Sequence, residues 1–195
     1  MTIELAHGDL VAADVDALVN TVNTEGVMGK GLALQIKNAF PDVFAEYARA
    51  CKQRTVAIGN MHIVHRSTRP RFVINFPTKK RWRHPSKLEY IESGLGDLII
   101  QVRKLDIRSI AIPPLGCGLG GLEWSEVKPR IIDAFTSLPE VRVVLFEPES
   151  APSNSEIVKR AQAALTSSDG LSRNESIRRA RATVERVRSR KTRMR

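Results

Sequence analysis

The sequence predicts an α/β layered sandwich built around a largely parallel sheet. Short apolar segments rich in Val, Ile and Phe alternate along the chain with longer amphipathic segments of helical period, which is the pattern of repeated strand–helix units. Two glycine-rich segments, Gly26–Gly31 and Gly116–Gly121, each follow a predicted strand and precede a predicted helix. With 195 residues, 42% of them hydrophobic, the chain is long enough to bury one such core.

Six strands are predicted from short apolar runs bounded by turn residues. The clearest contains Phe, Val and Ile in succession and begins at Arg71. In chain order the predicted strands are Thr2–Ala6, Ala17–Thr21, Met61–His65, Arg71–Phe76, Ser109–Ile112 and Val141–Phe146.

Four helices are predicted between these strands. Gly31–Phe40 follows the first glycine-rich segment, and Pro41–Gln53 begins at a proline, which is favoured in the first helical turn. Ser86–Glu89 predicts a capping box at the start of a third helix, in which apolar residues recur at steps of three and four as far as Leu105. The fourth helix is predicted over Ser125–Leu138.

The composition changes after the last predicted strand. Glu149–Glu156 is rich in Ser and Pro and is predicted to be a linker, and Ile157–Leu165 is predicted to be a short helix. From Arg173 onward the chain is rich in arginine with few large apolar residues, so a helix there would be marginal alone. The predicted organisation is therefore a folded domain over residues 1–148 and a linker with a basic, partly helical tail over residues 149–195.

The formal net charge of +10 is unevenly distributed. Residues 151–195 carry 12 Lys and Arg against 4 Asp and Glu, whereas residues 1–150 carry 19 against 17. Between Arg66 and Lys87 there are eight basic residues and no acid. Basic surfaces bind polyanions, and nucleic acid is the commonest of these. The alternative is ordinary solvated charge.

Other functional classes are disfavoured by the sequence. The 2 cysteines, Cys51 and Cys117, lie in a predicted helix and a glycine-rich segment, so no disulfide framework is expected. No segment has the length of a membrane-spanning helix, and the first residues lack a signal pattern, so a cytoplasmic protein without a membrane partner is expected. The four histidines are scattered and show no metal-ligand spacing, so neither a metal nor a cofactor is expected.

The first glycine-rich segment follows two asparagines, Asn20 and Asn23. Glycines let main-chain amides converge on an anion, and an asparagine side chain can both donate to and accept from a sugar hydroxyl. The same residue types are common in tight turns, which is the alternative interpretation. The segment lacks the spacing of a Walker loop and the glycine steps of a Rossmann fingerprint.

The second glycine-rich segment has four glycines in six residues and is preceded by Pro113-Pro114. Its amides can cradle an anion without any side chain; the alternative is a flexible turn. Because ligands collect at the carboxyl ends of parallel strands, both segments are expected at one edge of the sheet. Asp9 follows the first predicted strand, where it could accept a hydrogen bond from an exocyclic amine or act as a local cap.

These elements together resemble the macro domain family, which binds ADP-ribose. Gly8–Leu10, the segment from Asn20 to Gly31, and Gly116–Gly121 match its three ligand-contacting segments in order. The resemblance covers about residues 1–148. It implies a three-layer α-β-α domain with a mixed, mostly parallel central sheet, followed by the basic appendage.

Two shorter segments are similar to one branch of that family. Val27–Gly31 and Asn75–Lys79 look like the DNA ADP-ribosyl glycohydrolases, the antitoxins that counteract DarT-type toxins. The resemblance implies removal of ADP-ribose from a DNA base, thymine being the expected one. It also implies two partners, ADP-ribosylated DNA and a DarT-type toxin, for a monomeric enzyme. Three other functions stay open: an ADP-ribose reader without turnover, a hydrolase of ADP-ribosylated protein or ADP-ribose 1″-phosphate, and a non-enzymatic DNA-binding protein.

The resemblance also implies where ADP-ribose binds. Asp9 would hold the adenine amine, Asn20 and Asn23 would surround the distal ribose, and the second glycine-rich segment would cradle the phosphates. The full implied set is Gly8, Asp9, Leu10, Asn20, Asn23, Val27, Met28, Gly29, Lys30, Gly31, Pro114, Leu115, Gly116, Cys117, Gly118, Leu119, Gly120, Gly121, Phe146 and Pro148.

The implied catalytic residue is Lys79, which would reach the distal ribose from the loop after the Arg71–Phe76 strand. Lys80 is its neighbour and the alternative. Asn20 and Asn23 would position the ribose hydroxyls or a water. The lysine could act as a nucleophile if burial lowers its pKa, or as a cation that stabilises the leaving base.

The chain departs from the family in one respect. The related glutamate-ester hydrolases have an acid in the second glycine-rich segment, where this sequence has Gly120. This departure weakens the expectation that the chain hydrolyses glutamate esters, and it agrees with the DNA-directed branch.

Contacts with the DNA strand are expected from the basic segment that follows the catalytic lysine, and Trp82 could stack on an unpaired base. The alternative for Trp82 is a core or lid residue. The predicted DNA-contacting residues are Lys80, Arg81, Trp82, Arg83 and His84.

Overall fold

The computed structural model describes residues 2–148. Over this range the chain forms six strands, four α-helices and one short 3-10 helix at Leu10–Ala12. The strands are β1 (Thr2–Ala6), β2 (Ala17–Asn23), β3 (His62–His65), β4 (Phe72–Lys79), β5 (Ser109–Ile112) and β6 (Arg142–Phe146). The helices are α1 (Gly31–Ala39), α2 (Pro41–Lys52), α3 (Leu88–Lys104) and α4 (Trp124–Phe135).

The strands form a single mixed sheet in the order β1-β6-β5-β2-β4-β3. All neighbouring pairs are parallel except β3–β4, which is antiparallel. The carboxyl ends of the five parallel strands therefore meet at one edge of the sheet, and the segments that follow β2, β4 and β5 start close together. The fold class predicted from the sequence is confirmed.

Helices cover both faces of the sheet and bury two apolar layers. On one face, α3 and α4 contribute fully buried residues such as Leu98 and Ile131, which belong to the same apolar cluster as Val19 of β2. On the other face, Ile36 of α1 belongs to a cluster with Leu18. Adjacent residues of β2 thus serve opposite layers, as strand alternation requires. Each fully buried Leu or Ile contributes about 1.5–3 kcal/mol.

Two strands are longer than predicted, and this changes the position of Lys79. β2 continues to Asn23 instead of ending at Thr21, and β4 continues through Pro77 to Lys79 instead of ending at Phe76. The two strands pair along this extension, with a register shift at its end that places Asn23 opposite Lys79. Lys79 is therefore the last residue of a central strand, and its expected position in the following loop was wrong.

The predicted capping box at Ser86–Glu89 does not form. The N-cap of α3 is Lys87, which makes no side-chain capping hydrogen bond. Ser86 instead packs against the second glycine-rich segment, and its main-chain N–H donates to the carbonyl of Gly120 at 2.9 Å. Its hydroxyl is buried without a hydrogen-bond partner among the described residues.

Other boundaries differ by a few residues. α1 ends at Ala39, because Phe40 precedes Pro41 and adopts a non-helical conformation. α4 begins at Trp124 and ends at Phe135, three residues before the predicted end, and it contains Pro129. No helix within residues 2–148 combines the length and the apolar character needed to span a bilayer. The predicted linker and tail lie outside the described residues.

Candidate functional site

A cavity of about 500 Å³ lies at the carboxyl edge of the sheet, a size typical of small-molecule sites. Its walls are the end of β2, the first glycine-rich segment with the start of α1, the end of β4, and the second glycine-rich segment. The lining residues are Thr21, Val22, Asn23, Val27, Gly29, Lys30, Gly31, Leu32, Ala33, Thr78, Lys79, Trp82, Pro113, Pro114, Gly116, Gly118, Leu119 and Gly120.

The start of α1 gives one wall of the cavity its anion-binding character. Gly31 opens the helix with a φ of 58°, a conformation that glycine adopts without strain. The N-cap residue Lys30 makes no side-chain capping hydrogen bond. The main-chain N–H groups of the first turn can therefore donate to a bound ligand. Because these residues line the cavity, the helix dipole and the free donors both favour a phosphate there.

Asn23 holds the first glycine-rich segment in shape. Its side chain is buried, with Nδ2 donating to the carbonyl of Val27 at 2.7 Å and Oδ1 accepting from the N–H of Glu25 at 2.9 Å. The Tyr47 hydroxyl donates to the main-chain carbonyl of Asn23 at 2.7 Å. Both ends of the amide are therefore engaged within the loop, and Asn23 lines the cavity as part of its framework.

The second glycine-rich segment is compact because Gly116 and Gly120 are tightly packed. A Cβ atom on Gly116 would lie 2.8 Å from the side chain of Leu122. A Cβ atom on Gly120 would lie 2.1 Å from the carbonyl oxygen of Gly116 and 2.3 Å from the Ser86 hydroxyl. A Cβ atom on Gly118, by contrast, would meet nothing within 4 Å. The position where related hydrolases have an acid thus has no space for a side chain in this protein.

The two candidate lysines point in different directions. Lys79 lines the cavity, and its ammonium group donates to the carbonyl of Leu119 in the second glycine-rich segment. Burial lowers the pKa of Lys79. The exposed Lys80 side chain reaches instead toward Tyr90, with Nζ 5.9 Å from the ring centroid. Of the two, Lys79 is the one that presents an amine to the cavity.

The mouth of the cavity is apolar and exposed. Val27, Trp82 and Leu119 are large apolar side chains with 38%, 46% and 69% of their surface accessible, and all three line the cavity. Isolated exposed apolar residues are common, but a group of them around one opening indicates a binding site.

Five implied ADP-ribose contacts lie at the same sheet edge but outside this cavity. Leu10 and Phe146 are buried together in the apolar layer on the α1 face. Asp9 is exposed and caps the 3-10 helix, its Oδ1 accepting from the N–H of Val11 at 2.9 Å. Gly8, Asp9 and Leu10 follow β1, Phe146 ends β6, and Pro148 follows it. The two strands pair at Ala6 and Phe146. The five residues adjoin the cavity side of the sheet without forming its wall.

Asn20 lies behind the cavity wall. It is fully buried, its Nδ2 donates to Oδ1 of Asn75 at 2.8 Å, and it lies 3.9 Å from the sulfur of Met28. Its Oδ1 has no hydrogen-bond partner among the described residues. Asn75 in turn contacts Nδ1 of His62 at 3.1 Å. The structure therefore does not bring Asn20 to the position expected for a ribose contact.

Four other implied contacts also lie outside the lining. Met28 and Leu115 are buried, and Cys117 is half-buried with its sulfur 3.5 Å from the carbonyl of Leu115. Burial raises the pKa of the Cys117 thiol to about 11, with a smaller contribution from the charge of Glu123. Cys117 is therefore a neutral thiol at physiological pH. Gly121 has a φ of 78° and shapes the turn after the cavity wall.

Sequence reasoning missed several lining residues. Thr21 is the last residue of the predicted β2 strand, Val22 and Thr78 belong to the strand extensions, and Leu32 and Ala33 lie in the first turn of α1. Helix-terminal N–H groups are a general anion site, so the α1 residues were within reach of sequence reasoning. The strand residues were not, because their exposure depends on where β2 and β4 end.

The predicted DNA-contacting residues surround a second, adjoining cavity. It measures about 380 Å³ and is lined by Glu25, Arg81, Trp82, Arg83 and His84. Trp82 lines both cavities, whereas Lys80 lines neither.

The polar groups of the residues that line the main cavity are main-chain amides, threonine hydroxyls, the Asn23 amide and the amines of Lys30 and Lys79. No group of three or more His, Cys, Asp or Glu within residues 2–148 is placed to hold a metal ion. The arrangement can bind an anion on two sides and present the Lys79 amine to whatever lies between them.

Comparison with known proteins identifies relatives of the chain. The DNA ADP-ribosyl glycohydrolase of Thermus aquaticus is 51% identical over 158 residues, which cover 80% of this chain and 44% of that protein. The solved macrodomain of Mycobacterium tuberculosis DarG is 52% identical with a TM-score of 0.75, covering 76% of this chain and 99% of that chain. The structure of Thermosipho africanus DarTG in complex with ADP-ribose is 36% identical with a TM-score of 0.69, covering 76% and 43%.

The chain spans less than half the length of the Thermus relative, 44%. The family model for the macro domain matches residues 19–131, which include both glycine-rich segments, the whole of β4 and most of α4. The resemblance inferred from the sequence is confirmed: the chain belongs to the macro domain family.

Proposed function

We propose that this protein is a hydrolase that removes ADP-ribose from a DNA base, thymine being the expected one. In this reaction the bond between C1″ of the distal ribose and the base nitrogen breaks. The oxygen of water bonds to C1″, and the base nitrogen regains a proton. The products are free ADP-ribose and the restored base.

The cavity supports binding of ADP-ribose through its diphosphate. The first turn of α1 and the second glycine-rich segment face it from two sides, and both offer main-chain N–H groups to an anion. The Thermosipho relative is described as a complex with ADP-ribose, which agrees with this ligand. Binding energy from the diphosphate can orient the distal ribose without contacting its reacting carbon.

The position of Lys79 is the single observation that supports turnover as well as binding. Its amine donates to the carbonyl of Leu119 in the second glycine-rich segment, and its backbone lies opposite Asn23 in the β2–β4 pair. Burial lowers its pKa, which increases the fraction of neutral, nucleophilic amine. In its protonated form the same amine would stabilise charge on the leaving base.

The packing of Gly120 supports a DNA base over a protein glutamate as the modified group. Because Gly120 cannot accommodate a side chain without displacing Gly116 or Ser86, the loop cannot supply the acid of the glutamate-ester hydrolases. The name of the Thermus relative, a DNA ADP-ribosyl glycohydrolase, agrees with the DNA-directed reaction.

We also propose a DarT-type toxin as the source of the modified DNA, acting in the same cytoplasm. The support is the resemblance of Val27–Gly31 and Asn75–Lys79 to the antitoxin branch, together with the DarTG relative.

The test is cleavage of an oligonucleotide that carries ADP-ribose on one thymidine, with both products identified by mass spectrometry. Lys79→Ala is expected to lower kcat/KM by roughly 100- to 10,000-fold, the usual contribution of a catalytic side chain. Lys80→Ala is expected to lower it by less than about tenfold, because that side chain lies outside the cavity. ADP-ribose affinity measured by calorimetry shows that each variant retains a folded site.

Three outcomes would contradict the proposal. A Lys79→Ala variant as active as the wild type would remove the lysine assignment. Binding of ADP-ribose without any release from DNA would identify a reader. Faster release from ADP-ribosylated protein or from ADP-ribose 1″-phosphate than from DNA would identify a different hydrolase of the same fold.

A further inference from the structure

The second cavity shares a wall with the main one. Trp82 lines both cavities, so one indole separates the site of Lys79 from a space of about 380 Å³. The other lining residues of that space are Glu25, Arg81, Arg83 and His84. Anything covalently attached to a ligand in the main cavity and leaving past Trp82 would enter this space first.

Trp82 is exposed yet held in place. The side chain is 46% accessible, but its main-chain N–H donates to Oε2 of Glu25 at 3.0 Å. The backbone two residues earlier is also anchored, because the hydroxyl of Thr24 donates to the carbonyl of Lys80 at 2.8 Å. Both anchors come from the two residues that precede the first glycine-rich segment, so the backbone that carries the indole is tied to that segment.

Two arginines line this cavity with Trp82, beside the carboxylate of Glu25. The guanidinium of Arg83 lies 4.5 Å from the centroid of the Trp82 ring, and Arg81 lines the same space. Within residues 2–148 neither arginine takes part in an ion pair. Two arginine side chains beside an exposed indole therefore keep their charge for an external anion.

An aromatic face flanked by unpaired guanidinium groups is suited to a nucleotide. A base stacks on the ring and a phosphodiester contacts the arginines, which is how proteins hold single-stranded nucleic acid. An unmodified peptide has no phosphate for the arginines, and most of its side chains have no flat ring to stack on Trp82. Stacking on Trp82 also requires that the base leave the duplex stack.

We propose that the second cavity, lined by Glu25, Arg81, Trp82, Arg83 and His84, binds the nucleotide adjacent to the modified one, so that the enzyme requires a flanking nucleotide for full rate. This rests on the proposed function, because the distal ribose must lie beside Lys79 in the main cavity for the attached base to reach Trp82. The Glu25 carboxylate holds the backbone of Trp82 beside this cavity.

The test uses the full chain and five substrates. These are ADP-ribosylated thymidine as the nucleoside, two dinucleotides that add a nucleotide on its 5′ or its 3′ side, and a modified oligonucleotide either alone or annealed to its complement. We expect kcat/KM for one dinucleotide to exceed that for the nucleoside by about fivefold to a hundredfold, the range of one base–aromatic stacking contact. Annealing the oligonucleotide to its complement should reduce its rate.

Variants identify the residues responsible. Trp82→Ala should remove the dinucleotide advantage and Trp82→Phe should retain most of it, because phenylalanine also offers a ring face. Arg83→Ala should reduce the advantage and weaken its dependence on salt. Arg49→Ala is the matched control, since this exposed arginine of α2 lines neither cavity; its dinucleotide advantage should equal that of the wild type.

Two results would overturn the inference. One is equal kcat/KM for the nucleoside and both dinucleotides; the other is a Trp82→Ala variant that lowers all substrates by the same factor. If the wild type cleaves none of them, the proposed function fails, and the affinities of the same compounds decide the inference separately. Tighter binding of a dinucleotide than of the nucleoside, lost in Trp82→Ala, would support it, and equal binding would overturn it.

Discussion

Lys79 illustrates how a strand end can prepare a reactive amine. Strand pairing fixes its backbone opposite Asn23, and the carbonyl of Leu119 fixes its ammonium group. Burial penalises the charged form, so the pKa of Lys79 falls. Lys80, the first residue after the strand, lies outside the main cavity, and its Nζ is 5.9 Å from the centroid of the Tyr90 ring.

The lowered pKa of Lys79 predicts a specific pH dependence. Burial favours the neutral amine, so deprotonation should occur below the ordinary value of 10.5, and the pH profile of kcat/KM should show one transition there. The rate rises through this transition if the neutral amine attacks C1″, and it falls if the cation stabilises the leaving base. Steady-state rates in overlapping buffers measure it.

Lys79→Arg is the control for that profile, because arginine stays protonated throughout the accessible range. Its residual activity should lack the transition. A transition that persists unchanged in Lys79→Arg would assign the ionisation to another group.

At the level of elements, the second glycine-rich segment depends on the start of α3. The N–H of Ser86 donates to the carbonyl of Gly120, which places the serine hydroxyl where a side chain on Gly120 would otherwise go. The N–H of Leu122 donates back to the carbonyl of Gly116 at 3.1 Å. The loop is therefore a packed structure, and its glycines have different roles.

This difference predicts that an alanine substitution destabilises the protein at Gly120 and leaves its stability nearly unchanged at Gly118. Gly120→Ala should lower the free energy of unfolding by about 1–3 kcal/mol or more, because its Cβ would overlap backbone and the Ser86 hydroxyl. Gly118→Ala should change stability by less than about 0.5 kcal/mol, because nothing lies within 4 Å of its Cβ. Chemical denaturation of both variants measures the difference, and equal stabilities would show that the loop is not packed as described.

At the scale of the whole domain, the sheet order separates two halves of a basic stretch. Arg66, Arg69 and Arg71 precede β4 and pair with Asp42, Asp14 and Asp16. At the opposite end of the strand, Lys79 lines the main cavity, and Arg81 and Arg83 line the second one. The stretch from Arg66 to Lys87 is thus two surfaces, and only the second faces the candidate site.

Ligand binding should stabilise the whole domain. If ADP-ribose binds the folded state alone, a concentration of about 100 times Kd adds roughly 2.7 kcal/mol to the free energy of unfolding. Thermal unfolding of the full chain with and without ADP-ribose measures this, with thymidine at the same concentration as the control. An unchanged unfolding temperature at millimolar ADP-ribose would show that the cavity is not its site.

Much of the fold follows from local pattern. Hydrophobic period distinguishes strands from helices, and the alternation of the two implies parallel strands whose carboxyl ends share an edge. That is why both glycine-rich segments were expected together, and why β1 and β5 were predicted with their observed ends. The position of the main cavity was therefore within reach of the sequence.

Side-chain direction at the edge of the sheet depended on contacts between distant segments. The register shift between β2 and β4 places Lys79 opposite Asn23, and packing against Met28 buries Asn20 behind the wall. Glu25 and Trp82, 57 positions apart, meet at the partition between the cavities. Periodicity describes neighbours along the chain, whereas these positions result from pairing and packing across the sheet, and only the folded chain brings those partners together.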